Sequence, residues 1–336
     1  MEERKASPKG RAATLRDVAA AAGVSVWTAS NTYSNPDRVA EATRERVYAA
    51  ARELSYAGPH PGARSLARGR TGTVAFVAPG DAALLLADPA AALVARGLLT
   101  ACDRAGYSLL LSGRSSEDAA DGRVFFRTPD ASDRRGPTIV VDGAAEPGST
   151  AVNADVRGAG TALAAHLQEL GHRGLAVLAW PGGRDRLAGV TSAWRGPAPL
   201  RVFGVDARRP ETAPPGGDGS WPTPALGEAL ARAALSARPR PTAILGLSDT
   251  LALAALQAAH WMGLSVPGDV SVAGLDDLPG SDAAGLTSAL VPYRPLGERA
   301  GDVLTAMLAD EEVPRSPDLP TALSIRRTTA PPAGRS

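Results

Sequence analysis

The chain has 336 residues, enough for two or three domains with a sizeable core. Its single cysteine, Cys102, excludes an internal disulfide; no apolar run approaches membrane-spanning length, and the charged opening MEERKASPKGRAAT lacks the apolar stretch of a secretory signal, so a reducing, cytoplasmic setting is expected. Net charge is +1 but uneven, since residues 1–70 carry twelve Lys and Arg against seven Asp and Glu. A basic head on a mildly acidic body suggests a polyanion-binding end, and the plainer alternative is a solvated basic tail.

Residues 1–13 are polar, with Pro8 and Gly10, and are expected to be a disordered basic arm. Thr14 and Asp17 then form a T-x-x-D capping box, in which the hydroxyl accepts an early helical N–H and the carboxylate reaches back to the cap amide. Leu15, Val18, Ala19 and Ala22 follow at the spacing of one helix face. Gly23 supplies the left-handed residue for a tight turn, and Ser25 caps a second helix over roughly Val26 to Tyr33. The pattern predicts a helix-turn-helix. On the second helix Ala29 and Tyr33 point inward, while Trp27, Ser30 and Asn31 share another face. Asn pairs bidentately with adenine and an indole packs on a thymine methyl, so this face suits base reading; alternatively, Trp27 covers a small core. Val47, Ala50, Ala51 and Leu54 signal a third helix near Glu41 to Leu54. Gly58, Pro59, Pro61 and Gly62 break regular structure, and ARSLARGRTGT reads as a linker able to form a helical turn or two where something supports it.

The strings TLRDVAAAAGVSVWTAS, NPDRVAEATRERV, ELSY and ARSLARGRTGTVAFV closely resemble the head and hinge of the LacI family of bacterial transcription regulators. The resemblance implies a helix-turn-helix DNA-binding domain over 14–58 and a hinge over 59–70. It implies base contacts by Val26, Trp27 and Asn31, and phosphate contacts by Ser25, Thr28 and Ser30. It further implies a hinge helix in which Leu66, flanked by Ala63 and Arg64, wedges into the minor groove beside its symmetry mate. Three departures stand out: Asn31 where the family often has Arg, Ala40 where a capping Ser is common, and a hinge approach, YAGPHPGARSL, one residue longer than usual.

From Thr71 onward short β-rich runs alternate with helices. Strands are expected at Val74–Val77, Ser108–Leu111, Val124–Phe126, Thr138–Val141, Leu175–Leu178, Leu200–Val205, Ala243–Leu247, Val270–Ala273 and Leu323–Ile325. Helices are expected near Pro89–Ala105, Arg157–Leu170, Pro224–Ala237, Asp249–Met262 and Pro295–Leu308. Such alternation predicts an α/β body with parallel sheets covered on both faces and ligands beyond the strands' carboxyl ends. The resemblance continues through DPAAALVARGLLTACDRAGYSLLL, HLQELGHRGLAVL, RPTAILGLSDTLALAALQAAHWMGLSVPGDVSVAGLDDLP and RRTTAPP. It implies two periplasmic-binding-protein-like subdomains, one from 71–171 with 291–318 and the other from 172–290 with 319–333, joined by three chain crossings around an effector cleft. Position matching makes Arg186, Trp221, Asp249 and Asp276 the effector-binding candidates, a set suited to a small polyhydroxylated ligand. Asp249 is equally a first-turn residue after a Ser248 cap, and Asp276 could be loop solvation. The body reads as abridged: only SGRSSEDAADGR separates Leu111 from Val124, where the family places a helix, and AWRGPAPL shortens the helix after Arg186.

Catalysis is not supported. GLSDT approaches a nucleophile elbow but has Thr250 in place of the last glycine, and Ser248 suits a helix cap. No GKS/T phosphate loop or zinc-spaced Cys/His cluster occurs, so no cofactor or metal is implied. The expectation is a homodimeric, cytoplasmic and nucleoid-associated DNA-binding regulator, most simply a repressor, on a pseudo-palindromic double-stranded operator, with no membrane partner. The runner-up is a regulator whose degenerate body senses no small molecule or answers to a protein partner.

Overall fold

The structure is a computed structural model that describes residues 13–34, 36–56, 70–77, 82–113, 120–127, 136–145, 147–204, 222–313 and 317–333. The chain divides into two compact units, Met1–Gly72 and Thr73–Ser336.

In the first unit α1 (Leu15–Ala22) starts at the Thr14–Asp17 capping box, with the Thr14 amide donating to Asp17 Oδ2 at 2.8 Å. It ends at Gly23, whose φ of 64° lies in the left-handed region that a tight interhelical turn needs. Helix α2 (Val26–Ser34) begins as Ser25 Oγ accepts the Thr28 amide at 3.0 Å. Helix α3 (Glu41–Glu53) has no side-chain cap at Ala40. Its Arg44 instead reaches back to the carbonyls of Pro36 and Val39, which ties down the 3-10 turn Pro36–Arg38 ahead of it. Val18, Ala19, Ala22, Ala29, Val47, Ala50 and Ala51 form the core, with Tyr33 edge-on to Tyr48 and Tyr56 at its margin. Thr32, which no apolar pattern picks out, is buried as well; its hydroxyl donates to the Thr28 carbonyl at 3.0 Å and its own carbonyl accepts from Tyr48.

The second unit holds two sheets. The first has order β2-β1-β3-β4-β5, built from β1 (Thr73–Val77), β2 (Ser108–Ser112), β3 (Gly122–Phe126), β4 (Thr138–Val141) and β5 (Thr150–Val152). The second has order β11-β10-β9-β8-β6-β7, from β6 (Leu175–Ala179), β7 (Arg201–Gly204), β8 (Ala243–Gly246), β9 (Ser271–Asp276), β10 (Thr287–Leu290) and β11 (Ala322–Ser324). Every pairing is parallel except β10 with β11. The helices are α4 (Leu84–Ala87), α5 (Pro89–Ala105), α6 (Val156–Glu169), α7 (Arg184–Ala193), α8 (Pro224–Ser236), α9 (Asp249–Trp261), α10 (Ser281–Ala284) and α11 (Tyr293–Leu308).

Two strands escape the sequence pattern. Thr150–Val152 is only three residues long. In Thr287–Leu290 the buried positions include Thr287 and Ser288, whose hydroxyls donate to the Arg326 carbonyl and to Asp249, so paired polar groups replace the apolar run that marks a strand. Helix α11 packs on α5 and on the first sheet. Helix α6, expected within the first subdomain up to residue 171, instead packs against α7 and the second sheet, so the first crossing lies at Asn153–Asp155. Glycines allow this close approach: a Cβ on Gly160 would fall 2.4 Å from the Arg186 carbonyl oxygen, and one on Gly189 2.0 Å from that of Arg157. Two crossing segments are joined by a parallel bridge between Ala154 and Leu319.

Candidate functional sites of the head and the body

In the head, three short helices leave one face of α2 uncovered. The buried residues of α2 are Ala29 and Thr32, which turns Val26 and Trp27 outward, 45% and 74% exposed. An indole this exposed makes no contribution to the small core, which removes the alternative reading of Trp27 as its cover. Ser25 and Thr28 meet at 2.8 Å between hydroxyl oxygens at the exposed start of the helix. Ser30 and Asn31 are half-buried one turn later. The Asn31 side-chain nitrogen is enclosed and has no hydrogen-bond partner among the described residues, a state that costs about 1–3 kcal/mol. The hinge candidates Ala63, Arg64 and Leu66 and the arm 1–12 lie outside the described residues, as does Trp221.

In the body, the carboxyl ends of β3, β4, β6 and β9 and the start of α11 converge on one cluster of charges. Arg186, in the first turn of α7, is 2% exposed. Its Nη1 donates to Asp276 Oδ1 at 2.7 Å and to the Leu247 carbonyl at 2.9 Å. Its Nη2 donates to the Tyr293 hydroxyl at 2.7 Å and to Asp142 Oδ2 at 3.0 Å. The Tyr293 hydroxyl in turn donates to Asp276 Oδ1 at 2.5 Å. From the other sheet, Arg127 donates to Asp142 at 3.0 Å, to the α5 cap residue Asp88 at 3.1 Å and to the Tyr293 hydroxyl at 3.3 Å. The Trp180 ring, at the end of β6, lies under both guanidinium groups, 5.2 Å from Arg186 and 5.6 Å from Arg127.

The electrostatics follow from burial. Desolvation pushes the Asp276 carboxyl up to about 6, with Arg186 pulling the other way. Burial alone would lower both arginines, but Asp276, Tyr293 and Asp142 raise Arg186, and Asp88, Tyr293 and Asp142 raise Arg127, so both stay cationic. Three of the cluster's residues hold left-handed backbone, with φ of 68° at Arg127, 55° at Asp142 and 143° at Asp276. Each such residue costs about 1–3 kcal/mol and persists where the surroundings over-determine it, as the ion pairs do here. Outside the cluster a cleft of about 730 Å³ opens, lined among others by Asn153, Arg157, Arg184 and Asp318 together with Arg127, Asp142 and Arg186.

Of the four effector candidates the structure brings Arg186 and Asp276 together and sets Asp249 apart. Asp249 is fully buried, follows the Ser248 cap, and accepts from the Leu278 amide at 2.8 Å and from the hydroxyls of Ser281 and Ser288, each at 2.5 Å. Its carboxylate therefore ties α9 to α10 and β10 inside the second half and does not line the cleft. Arg127, Asp142, Tyr293, Asp88 and Trp180 were absent from the expected set. Each lies at the end of a strand or the start of a helix, and that position, more than residue type, was the available signal.

Residues 14–58 match the profile of bacterial regulatory proteins of the lacI family, and residues 164–329 match that of the periplasmic binding protein-like domain. The chain is 34% identical over 354 residues to the HTH-type transcriptional regulator Rv3575c of Mycobacterium tuberculosis, covering 96% of this chain and 98% of that protein. It is 31% identical to the HTH-type transcriptional repressor PurR of Erwinia tasmaniensis, over 89% of this chain and 90% of the relative. Among solved structures it is similar to the lac repressor dimer bound to operator and an anti-inducer, with a TM-score of 0.76, 25% identity, and coverage of 95% of this chain and all of the other. It is likewise similar to the transcriptional regulator CelR in complex with cellobiose, with a TM-score of 0.65, 26% identity, and coverage of 94% and 100%. The chain belongs to the LacI family of bacterial DNA-binding transcription regulators, and it is not an enzyme.

Proposed function

We propose that this regulator is an operator-specific repressor that acts as a homodimer on a pseudo-palindromic site. Helix α2 enters the major groove with Val26, Trp27 and Asn31 at base edges, and Ser25, Thr28 and Ser30 hold phosphates. The observation that carries this reading is the outward Trp27, 74% exposed at the start of a helix whose other face is core. Ala63, Arg64 and Leu66 form the minor-groove hinge, and the Leu66 wedge kinks the duplex. Lac repressor and CelR were solved with small ligands, and by analogy the cleft beside Arg186 and Asp276 takes a small effector, with Trp221 as a cover. An effector acts only through its different affinity for the DNA-competent and released states.

One observation favours a second reading of the body, in which it senses no small polyhydroxylated molecule: both terminal nitrogens of Arg186 and the Oδ1 of Asp276 are already paired within the protein.

Selection of binding sites from random duplex DNA with the full chain tests the function. An inverted repeat is expected, and Leu66→Ala should bind it more weakly and bend it less. Selected sequences with no repeat, or unchanged bending by Leu66→Ala, would contradict the dimer and hinge respectively.

A further inference from the structure

A hydroxyl held between Arg186 and Asp276 has the bonding of a ligand hydroxyl, accepting from a guanidinium and donating to a carboxylate. Here Tyr293 provides it. The phenol oxygen accepts from Arg186 Nη2 at 2.7 Å and donates to Asp276 Oδ1 at 2.5 Å, while Asp142 accepts from the same Nη2 and Nη1 donates to Asp276 and the Leu247 carbonyl. Tyr293 is 1% exposed, and its ring packs edge-on against Phe126 of the first sheet at 6.2 Å. The ring is thus anchored in one half of the body while the hydroxyl bonds residues of the other. Arg127 approaches the same oxygen from the first half at 3.3 Å.

We propose that Tyr293 is the specificity-determining residue of the cleft: its hydroxyl is a built-in substitute for an effector hydroxyl, closes the Arg186–Asp276 pair to polyhydroxylated ligands and joins the two halves of the body. This rests on reading the cleft as the place where an effector would bind. A sugar that uses Arg186 and Asp276 must displace a phenol whose ring is packed in place, leaving a buried hydroxyl without its partners. The cleft of about 730 Å³ is lined by Arg186 and not by Asp276, so whatever it accepts does not meet the two as a pair.

Thermal melting of the full chain tests the proposal in three arms. D-ribose, D-glucose and myo-inositol at millimolar concentration should each leave the wild-type Tm unchanged. Tyr293→Phe, which keeps the ring and loses the hydroxyl, should melt about 2–6 °C lower. Tyr293→Ala should regain stability with phenol and not with toluene, which matches the ring and lacks the hydroxyl. A sugar that raises the wild-type Tm, a Tyr293→Phe chain that melts with wild type, or equal rescue by toluene would each overturn the proposal. If Tyr293→Ala does not fold, the first two arms decide. DNA binding is read separately: a wild-type chain that binds no specific site counts against the repressor reading and enters none of these arms.

Discussion

The head and the body place their chemistry in opposite ways. The head buries small apolar residues and turns its largest apolar side chain, Trp27, to the outside, whereas the body encloses two arginines and two aspartates, their side chains 2–6% exposed, in contact with one another. A surface that reads a partner has to leave its reading groups unsatisfied; a cleft whose groups satisfy one another has little left to offer a ligand. The difference separates a part specialised for contact from a part specialised for holding its own halves together.

The largest effect should come from the body. Arg186→Ala leaves Asp276 and Asp142 short of a cation in a buried site and should destabilise the body by about 3–5 kcal/mol in urea unfolding. A loss below about 1 kcal/mol would mean that water replaces the arginine and that the cluster is not a sealed unit. In the head the comparable lever is apolar. Val47 is fully buried against α1, and Val47→Ala should cost about 2 kcal/mol from two lost methyl groups and the cavity they leave, measured by helix loss on heating.

A smaller effect should follow pH. His166 and His172 both sit in the body, and burial is the main cause that lowers each below the ordinary imidazole range. The folded chain keeps them neutral, while the unfolded chain takes up protons below about pH 6.5, so their contribution to stability falls as pH drops through that value. Asp276 works in the opposite sense: with its carboxyl raised to about 6, the folded state binds a proton that the unfolded state does not, and its contribution grows as pH falls below 6. His172→Gln should therefore lose less Tm than wild type between pH 7.5 and 5.5, and parallel curves would contradict the assignment.

The same contrast explains what was legible in the sequence. Head structure is set over three or four residues: the Thr14–Asp17 box, Gly23 at the turn, Ser25 at the next cap, and each of these acts as its spacing predicts. The four-residue spacing of Val18 and Ala22 ahead of the same turn likewise marks the core directly. The body's alternation of strands and helices was legible for the same local reason. Its cluster was not, because Arg127 and Tyr293 are 166 positions apart and Arg186 and Asp276 are 90 apart, and only the strand order and the chain crossings bring them together. Asp249 shows the converse: a carboxylate at a strand-to-helix junction looks like a ligand group until Leu278, Ser281 and Ser288 are seen to use it up.

The smallest effect on stability and the most direct test of the account belong to Trp27. Trp27→Ala should leave the head's melting within about 0.5 kcal/mol of wild type, because an exposed side chain supports little. Its measurement is the ratio of the full chain's affinity for its selected inverted repeat to that for random duplex, at one fixed salt concentration. The account predicts that Trp27→Ala lowers this ratio about tenfold or more and leaves random-duplex affinity unchanged. Equal loss on both DNAs, or no loss on either, would contradict the reading of α2 as the base-reading helix.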